Sequence, residues 1–482
     1  MQFDGNIRVY LQQILFDTIM DFMNRWIWLL GSALILASCQ QQKSDINSAT
    51  EQDSSAVVIQ DTTENGRNES EQTTISTEQR ESTVMSKDTN VIEKPIEFDD
   101  TIIVRKSLRH HEPVKGIYVS GPIAGHSRFK ELLDMVETTE LNAMVIDVKN
   151  DNGNVTYNMN HKLVNEFGAN IRYIRGINSF LENLHNKNIY TIARVVAFRD
   201  PLLAKKKPEW CVHRKDGSIY YDRSGLAWVN PYNRDVWKYL VSIGKRAAAD
   251  GFDEIQFDYI RFSTEVKDDE VNYGFGADTM SKQEVITEFV KYSASEFKKC
   301  GIEFSADVFG TVINNDVDTR LVGQNYAEMG RHLSTISPMI YPSHYGPNVF
   351  KLPIPNNEPY RAILGAMNLS RKVLDSLDTK PNVRAWLQDF SAPWVKGARA
   401  YTPADVRAQI DAIYDAGYSE WILWNASVKY RKDALILNGD SIPIYKRYKK
   451  SYPTNTNDSI EVKKPSCDST KIETIIDTTK NE

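Results

Sequence analysis

Two acidic residues, each near the end of a short β-rich segment, are the strongest candidates for catalysis in this chain. Segment 251–262 reads Gly-Phe-Asp-Glu-Ile-Gln-Phe-Asp-Tyr-Ile-Arg-Phe and contains Asp258. Segment 303–310 repeats the pattern and contains Asp307. Two carboxyl groups at adjacent strand ends are what glycosidic-bond hydrolysis requires, one as the acid and one as the nucleophile or base. A strand-end cap or a solvated loop acid is the alternative for either residue. Asp389 and Asp147 are alternates for the acid.

A second group of charged residues lies on the two preceding β-rich segments. Asp147 and Lys149 share a face of their strand, so they are expected either to form a salt bridge or to contact a substrate. Arg194 lies among apolar residues, and a buried arginine needs a carboxylate partner. Asp147 or Asp258 would serve. An arginine facing Asp258 would keep that group ionised, which suits a nucleophile.

Aromatic and polar residues at later strand ends are candidates for sugar binding. Trp228 is expected to be exposed near these groups, where its ring would stack on a sugar face. Tyr341 and His344 are expected to hydrogen-bond hydroxyls or to orient a carboxylate. Ordinary loop packing for Trp228 and a structural role for His344 stay open. The other members of this predicted carbohydrate subsite are Trp386, Gln388, Asp389, Trp424 and Asn425.

Eight β-rich runs alternate with helical patterns, which predicts a (β/α)8 TIM barrel. Strands are predicted at 116–120, 143–149, 189–198, 254–262, 303–309, 336–341, 383–389 and 421–425. Helices are predicted at 127–138, 170–187, 233–250, 281–299, 327–333, 368–377 and 402–416. The rival is a doubly wound open sheet, but neither Gly-x-Gly-x-x-Gly nor a P-loop follows any of these strands. A barrel also explains why the polar residues gather at the C-terminal ends of strands.

Composition narrows the possible partners. The 482 residues carry a formal net charge of −6, and the isoelectric point near 5.9 gives no basic footprint for nucleic acid. The four cysteines show no metal-ligand spacing, and the sequence contains neither His-x-His nor His-Glu-x-x-His. We therefore expect a carbohydrate partner, without a metal or another cofactor.

The N-terminal region has the pattern of a secretory signal. A basic flank precedes the apolar run 26–37, which ends in the lipobox-like sequence Leu36-Ala-Ser-Cys39. Lipidation of Cys39 would anchor the protein in a bacterial cell envelope, at the outer membrane or the cell surface. An ordinary signal in which Cys39 is incidental is the alternative. Residues 1–22 carry acidic groups where a signal is basic, so a start at Met23 is expected.

The composition divides the chain into four parts. Residues 1–38 are the signal region, and 39–100 form a tether rich in Ser, Thr, Gln and Glu. Such a segment has too little apolar surface to offset the entropy of ordering, so we expect it to be disordered. Residues 101–450 form the barrel, and 451–482 are a disordered tail.

Seven short segments, in order along 112–430, together resemble a bacterial family of putative glycoside hydrolase domains long carried as a domain of unknown function. They are Lys115–Tyr118, Val145–Gly153, Ala193–Phe198, Trp228–Pro231, Phe257–Phe262, Ile336–Pro342 and Trp386–Asp389. The resemblance implies a TIM barrel related to α-glycosidase-like enzymes. It also implies a nucleophile at the end of strand four, a position that Asp258 matches. Asp307 is assigned only from its place on strand five.

The function predicted from these observations is that of a surface-anchored glycoside hydrolase with two carboxyl groups, acting with retention of configuration. A catalytically inactive glycan-binding lipoprotein on the same barrel is the first alternative. The second is a non-glycosidic hydrolase that acts on envelope polymers. The number of carboxyl groups that converge at a productive distance separates the first two possibilities.

Lipidation of Cys39 is directly testable. In cells given labelled palmitate, we expect the full chain to carry the label and to fractionate with membranes. The Cys39→Ala variant should lose the label, because only this cysteine follows the lipobox-like sequence. A Cys467→Ala variant serves as the matched control and should label like the wild type. Label that persists in Cys39→Ala would contradict the prediction.

Overall fold

The computed structural model describes residues 112–274 and 276–447. The predicted signal region, Cys39, the tether and the tail lie outside these residues. Within the two described ranges, none of the helices combines the length and the apolar character needed to cross a bilayer.

Eight parallel strands form a closed barrel. We label them β1 to β8: Lys115–Val119, Ala143–Lys149, Tyr190–Val196, Glu254–Asp258, Glu303–Phe309, Thr335–Met339, Asn382–Gln388 and Glu420–Trp424. Each strand pairs with the next one along the chain, and β1 also pairs with β8, which closes the barrel. The predicted (β/α)8 architecture is confirmed, and all eight predicted strands are present with small changes at their ends.

Helices cover the outside of the barrel. We label the main ones α1 to α8: Phe129–Thr138, Ile177–Asn186, Arg234–Asp250, Lys282–Lys299, Asp316–Val322, Tyr326–Gly330, Pro359–Leu374 and Pro403–Asp415. Shorter helices cover Gly121–Ala124, Lys162–Phe167, Pro201–Lys206, Gly276–Thr279 and Ile444–Arg447. Capping boxes start α4 at Ser281 and α8 at Thr402, and a proline occupies the first turn of α8 as predicted.

The predicted helix at 170–187 is wrong in its first part. Asn170–Ile174 is a strand that pairs with the short strand Val155–Tyr157, which in turn lies antiparallel to the end of β2. The isoleucines of this segment fit a helical spacing as well as a strand. Gly176 separates the two elements, since its φ of 64° lies in the left-handed region that glycine adopts without strain. The helix 368–377 also begins earlier than predicted, at Pro359.

Alternation along the strands decides which side chains face the barrel interior. Phe257 on β4 points outward and packs against Phe289 and Phe297 of α4, with ring centroids 5.7 and 5.5 Å apart. Its neighbour Gln256 points inward and donates from Nε2 to Ser337 Oγ at 3.3 Å. Asp258, two residues after Gln256, therefore lies on the interior face at the C-terminal end of the strand.

A buried network of charged and polar groups fills the N-terminal end of the barrel. Arg384 of β7 donates from Nη1 to Glu254 at 2.7 Å and from Nε to Glu420 at 2.8 Å. The hydroxyls of Tyr190 and Ser305 also donate to Glu254. These contacts join five strands through side chains at the end opposite to the candidate site.

This network predicts a large stability effect at Arg384. Its removal in Arg384→Ala leaves Glu254 buried and without its cation, so we expect a loss of about 3–5 kcal/mol in the free energy of unfolding. Arg361 forms a surface pair with Glu358 and its side chain is 58% exposed, so Arg361→Ala should change stability by less than about 1 kcal/mol. Chemical denaturation of the two variants provides the measurement. Equal, small losses would contradict the role of the network.

Candidate active site

A buried arginine joins two carboxylates at the C-terminal end of the barrel. Arg194 on β3 donates from Nη1 to Asp147 Oδ1 at 2.7 Å. It donates from Nε and Nη2 to Asp258 Oδ2, at 2.9 and 2.6 Å. Asp147 is directly aligned with Arg194, and Asp258 with Val196, so strand pairing brings the three groups together. Both of the partners predicted for Arg194 are therefore its partners.

The other oxygen of Asp258 is held by the backbone that follows it. The N–H group of Tyr259 donates to Asp258 Oδ1 at 2.6 Å. Tyr259 has a φ of 54°, which costs a non-glycine residue about 1–3 kcal/mol. The side chain of Asp258 retains 10% exposure. Asp258 is thus fixed at both oxygens while its carboxyl group still reaches the barrel mouth.

Tyr118 of β1 completes the surroundings of Asp147. Its hydroxyl donates to Asp147 Oδ2 at 2.6 Å. Burial raises the pKa of Asp147, while Arg194 and the Tyr118 hydrogen bond oppose this rise. The Tyr118 ring packs on Trp424 with centroids 4.3 Å apart, and the Arg194 guanidinium lies 6.0 Å from the Trp424 ring. Sequence reasoning missed Tyr118, whose only signal was its place at a strand end.

Asp307 lies on the adjacent strand β5. The last aligned pair of β4 and β5 is Phe257 and Ala306, so Asp258 and Asp307 are the next residues on both strands. Asp307 is buried, and Trp386 of β7 donates from its indole Nε1 to Asp307 Oδ1 at 2.7 Å. The structure thus brings together four of the predicted residues, Asp147, Arg194, Asp258 and Asp307, and assigns Trp386 a specific hydrogen bond.

Asp307 and Asp258 have opposite electrostatic surroundings. Burial raises the pKa of Asp307 well above its usual range, and the charge of Asp258 raises it further. The Trp386 hydrogen bond and the more distant Arg194 lower the pKa but do not cancel this rise. The net effect is a raised pKa, which favours the protonated form of Asp307. Asp258, by contrast, is in direct contact with the Arg194 guanidinium.

Two further predicted residues follow the end of β6. Tyr341 is close enough to both carboxyl groups for their charges to affect its pKa, and His344 contacts Tyr341. Tyr341 is buried, and its pKa is raised by burial and then by the charges of Asp307 and Asp258. Its phenol is therefore neutral near both groups. The His344 ring packs on Tyr341 with centroids 4.9 Å apart, and burial lowers the pKa of His344 to about 4. His344 is thus uncharged at neutral pH.

Lys149 is not in the barrel mouth. It is fully buried, with Nζ 2.8 Å from Asp200 Oδ2 and 2.7 Å from the carbonyl oxygen of Val196. The predicted alternative of a salt bridge to Asp147 is wrong, because the pairing of β2 with β3 shifts register between Asp147 and Lys149. The same Asp200 caps the helix Pro201–Lys206. Lys149 therefore ties the end of β2 to the loop after β3.

The side-chain oxygen and nitrogen of Gln388 also both form hydrogen bonds within the protein. Its Oε1 accepts from the backbone N–H of Ser343 at 3.0 Å. Its Nε2 donates to Asn356 Oδ1 at 3.1 Å and to the carbonyl oxygen of Phe390 at 3.0 Å. Because the side chain is buried and its polar atoms are bonded, Gln388 holds loops in place instead of offering donors to a sugar.

Asp389 and Asn425 likewise hold loops in place. Asp389 is fully buried and accepts from Arg431, at 2.5 Å from Nη1 and 2.9 Å from the backbone N–H. Asn425 donates from Nδ2 to the carbonyl oxygen of Asp389 at 2.5 Å. These contacts fix the loops after β7 and β8. Asp389 is therefore a poor alternate for the catalytic acid.

Trp228 is buried, so the prediction of an exposed ring is wrong. Its indole Nε1 donates to Asp222 Oδ2 at 3.0 Å, and the Arg261 guanidinium lies 5.0 Å from its ring. The loop between β3 and α3 folds back on itself and encloses the ring. Backbone hydrogen bonding pairs Cys211 with Val229 as an isolated antiparallel β-bridge. Trp424 stays half-buried and makes an edge contact with Trp386.

An exposed carboxylate at the mouth was not predicted as a site residue. Asp151, in the loop after β2, has a side chain that is 40% exposed and accepts from Arg199 Nη1 at 3.3 Å. Arg199 also donates to the Tyr259 hydroxyl at 3.1 Å. Among residues 112–274 and 276–447, no three His, Cys, Asp or Glu side chains are grouped as a metal site requires.

Comparison with known proteins identifies the family. Residues 116–430 match the family described as "Putative glycosyl hydrolase domain". The chain belongs to this family. Its barrel is thus a glycosyl hydrolase domain, as the resemblance implied. None of the curated proteins is similar to the chain in sequence.

Several solved structures are similar to this glycosyl hydrolase domain. A hypothetical protein from Ruminiclostridium thermocellum ATCC 27405 is 39% identical over 40% of this chain and 97% of its own, with a TM-score of 0.37. The PgaB (BpsB) glycoside hydrolase domain from Bordetella bronchiseptica is 12% identical over 67% and 99%, with a TM-score of 0.49. The PelA glycoside hydrolase domain from Pseudomonas aeruginosa is 7% identical over 66% and 97%, with a TM-score of 0.38.

The raised pKa of Asp307 predicts a pH dependence of stability. Above about pH 4 the unfolded chain releases the Asp307 proton while the folded protein retains it, so wild-type stability falls as pH rises towards the folded pKa. Asp307→Asn mimics the protonated form. Its unfolding free energy relative to wild type should increase between about pH 5 and 8, by at most about 1.4 kcal/mol per pH unit.

Asp216→Asn is the control for this measurement. Hydrogen bonds from Ser218 lower the pKa of the exposed Asp216, so Asp216 is ionised in both states over the same pH range. Its stability difference from wild type should stay constant with pH in denaturation experiments. If the Asp307→Asn difference is equally constant, Asp307 is ionised in the folded protein and the assignment is wrong.

Proposed function

We propose that this glycosyl hydrolase domain cleaves glycosidic bonds of an oligo- or polysaccharide at the cell envelope. The observation that carries the proposal is the pairing of unlike carboxyl groups, Asp258 and Asp307, at the C-terminal ends of β4 and β5. Arg194 contacts the first with two donors, and burial raises the pKa of the second well above its usual range. A carboxylate beside a neutral carboxylic acid is the pair that glycosidic-bond hydrolysis uses.

In the proposed mechanism, Asp258 attacks the anomeric carbon while Asp307 donates its proton to the leaving oxygen. The covalent glycosyl-enzyme is then hydrolysed by a water molecule that Asp307, now ionised, deprotonates. Carboxyl groups about 5–5.5 Å apart act with retention, whereas about 6.5–9.5 Å leaves room for the water of an inverting enzyme. The adjacent strand positions of the two residues favour the shorter range, so we propose retention.

Neighbouring side chains fit substrate binding. The half-buried Trp424 offers part of a ring at the strand ends, and aromatic rings stack on the C–H face of a pyranose. Tyr341 supplies a neutral hydroxyl near both carboxyl groups. Asp147 and Tyr118 hold Arg194 in place, so they are positioning residues in this proposal.

The location of the protein is also a proposal. The lipobox-like sequence Leu36–Cys39 supports a lipid anchor on Cys39, and the polar composition of 39–100 suits a tether from that anchor to the 101–450 domain. The substrate would then be a carbohydrate of the envelope or of the surroundings of the cell. The proposed lipid anchor is the basis for proposing a membrane partner and a position at the cell surface.

The burial of Asp307 favours one alternative function. An acid must reach the leaving oxygen, and Asp307 lies beneath the accessible surface with one oxygen bonded to Trp386. If substrate does not displace this arrangement, the barrel binds a glycan without cleaving it. The protein would then be a catalytically inactive glycan-binding lipoprotein.

Substitution of the two aspartates tests the proposal. On a glycan cleaved by the full-length wild type, Asp258→Asn should lose several orders of magnitude in turnover, because the nucleophile is gone. Asp307→Asn should lose about 10²–10⁴-fold, the contribution of general acid–base catalysis. Asp375 forms a surface pair with Lys380 and its side chain is 56% exposed, so Asp375→Asn should act like wild type. Reducing-end release over a glycan panel provides the measurement.

Each outcome has a distinct meaning. Wild-type turnover in Asp258→Asn would overturn the nucleophile assignment. Full activity in Asp307→Asn would overturn only the acid, and the exposed Asp151 would be the next residue to substitute. Binding without any cleavage by the wild type would support the alternative function. Proton NMR of the first anomer released distinguishes retention from inversion.

A further inference from the structure

An exposed carboxylate lies beside the candidate active site, and the proposed mechanism does not use it. Asp151, in the turn after β2, has a side chain that is 40% exposed. Its Oδ2 accepts from Arg199 Nη1 at 3.3 Å, and this is the only hydrogen bond of the carboxylate within residues 112–274 and 276–447. Oδ1 of Asp151 is therefore available to a donor from outside the protein.

A chain of contacts connects this carboxylate to the proposed nucleophile. The Arg199 nitrogen that contacts Asp151 also donates to the Tyr259 hydroxyl at 3.1 Å. Tyr259 directly follows Asp258 and donates its backbone N–H to the Asp258 carboxylate at 2.6 Å. Because one guanidinium nitrogen contacts both groups, Asp151 lies beside the residue that holds Asp258 in place.

The charge of Asp151 also acts on the buried groups of the site. Burial raises the pKa of Asp147, Arg194 lowers it, and Asp151 raises it further. The pKa of Tyr118 is likewise raised, by burial first and by Asp151 among the smaller contributions. Such effects weaken with distance, so Asp151 lies close to the two residues that surround Arg194. The exposed carboxylate thus belongs to the mouth of the barrel and not to its outer, helical surface.

The turn that carries Asp151 is fixed by its own hydrogen bonds. Asn150 Oδ1 accepts from the backbone N–H groups of Asn152 and Asn154, at 3.1 and 3.0 Å. The backbone N–H of Asn150 donates to the carbonyl oxygen of Asn154 at 2.9 Å, and that of Gly153 donates to the carbonyl oxygen of Asn150 at 3.0 Å. A ligand that contacts Asp151 therefore meets a backbone that is already ordered, which lowers the entropy lost on binding.

A buried ion pair joins the chain on both sides of the contact between Asp151 and Arg199. Lys149 precedes the turn, and Asp200 directly follows Arg199. Lys149 Nζ lies 2.8 Å from Asp200 Oδ2, and neither side chain has any exposure. The turn also packs on Asp200, since a Cβ added at Gly153 would lie 2.0 Å from Asp200 Oδ1. A buried ion pair is weak evidence for stability, but this one fixes the position of Asp151 relative to Arg199.

We propose that Asp151 is a specificity-determining residue that accepts a hydrogen bond from a hydroxyl group of the sugar unit bound at Asp258. Lys149, Asp200 and Gly153 are then positioning residues. The substrate class is narrowed to glycans in which that hydroxyl is free, because a unit without the donor leaves a carboxylate desolvated and without a partner. This inference rests on the proposed function insofar as the ligand is a carbohydrate.

Removal of single hydroxyl groups provides the test. The full chain is assayed on the shortest oligosaccharide that it cleaves, and on derivatives that lack one hydroxyl of the unit at the cleaved bond. Asp151→Ala should lower kcat/KM for the intact sugar by about 10- to 100-fold, the equivalent of a hydrogen bond to a charged group. For one derivative, wild type and Asp151→Ala should agree within about 2-fold, because the donor that contacts Asp151 is absent.

Three further variants separate recognition from damage to the fold. Gly153→Ala places a Cβ against Asp200, so it should reproduce most of the Asp151→Ala loss for the intact sugar and spare the same derivative. Gly217 has a similar φ of 85°, but a Cβ added there has no atom within 4 Å, so Gly217→Ala should act like wild type. Asp375→Ala removes a surface carboxylate that is 56% exposed and should also act like wild type. Thermal unfolding of each variant checks that the domain is intact.

The outcomes separate this inference from the proposed function. Equal losses on every derivative, or no loss on the intact sugar, would overturn the role of Asp151 while hydrolysis by the wild type stands. If the wild type binds glycans without cleaving them, dissociation constants from calorimetry replace kcat/KM in the same comparison. A loss of affinity confined to ligands that carry the hydroxyl would then support the role of Asp151 and count against hydrolysis. If no glycan of the panel is cleaved or bound, both proposals are rejected.

Discussion

The arrangement of the site depends on one buried cation. Arg194 lies between Asp147 and Asp258 and satisfies both, while Tyr118 closes the remaining side of Asp147. Without this arginine, two carboxylates would be buried side by side, and their desolvation would exceed any local gain. The planar guanidinium offers several donors in fixed directions, which a lysine does not. The ends of β2, β3 and β4 are therefore held at one height by electrostatics as well as by backbone pairing.

The two candidate catalytic groups differ in whether they contact that cation. Asp258 takes two donors from Arg194, whereas the nearest donor to Asp307 is the neutral indole of Trp386. Identical side chains on adjacent strands consequently have different surroundings, since Asp258 contacts a cation, whereas Asp307 is buried and has the charge of Asp258 nearby. A barrel can set such a difference without any change in backbone geometry, because each interior position faces different neighbours.

Polar residues at the strand ends divide into two groups with different purposes. Asp258 and Asp307 lie at the adjacent C-terminal ends of β4 and β5, and Tyr341 follows the end of β6. Gln388 and Asp389 instead bond to backbone and to Arg431, so they hold the loop after β7 in place. At the opposite end, the Arg384 network joins five strands through buried side chains. The stabilising network and the candidate catalytic groups thus lie at opposite ends of the barrel, the division that is usual in TIM barrels.

The sequence by itself determined the barrel, the interior direction of Asp258 and the need of Arg194 for a carboxylate, because these follow from local periodicity and from the cost of burying charge. It could not determine that Lys149 pairs with Asp200 or that Trp228 is enclosed. A register shift in β2 redirects Lys149, and the enclosure of Trp228 depends on a long loop that folds back on itself. Only closure of the barrel brings the strand-end loops together, so residue types at strand ends did not reveal which of them face the mouth.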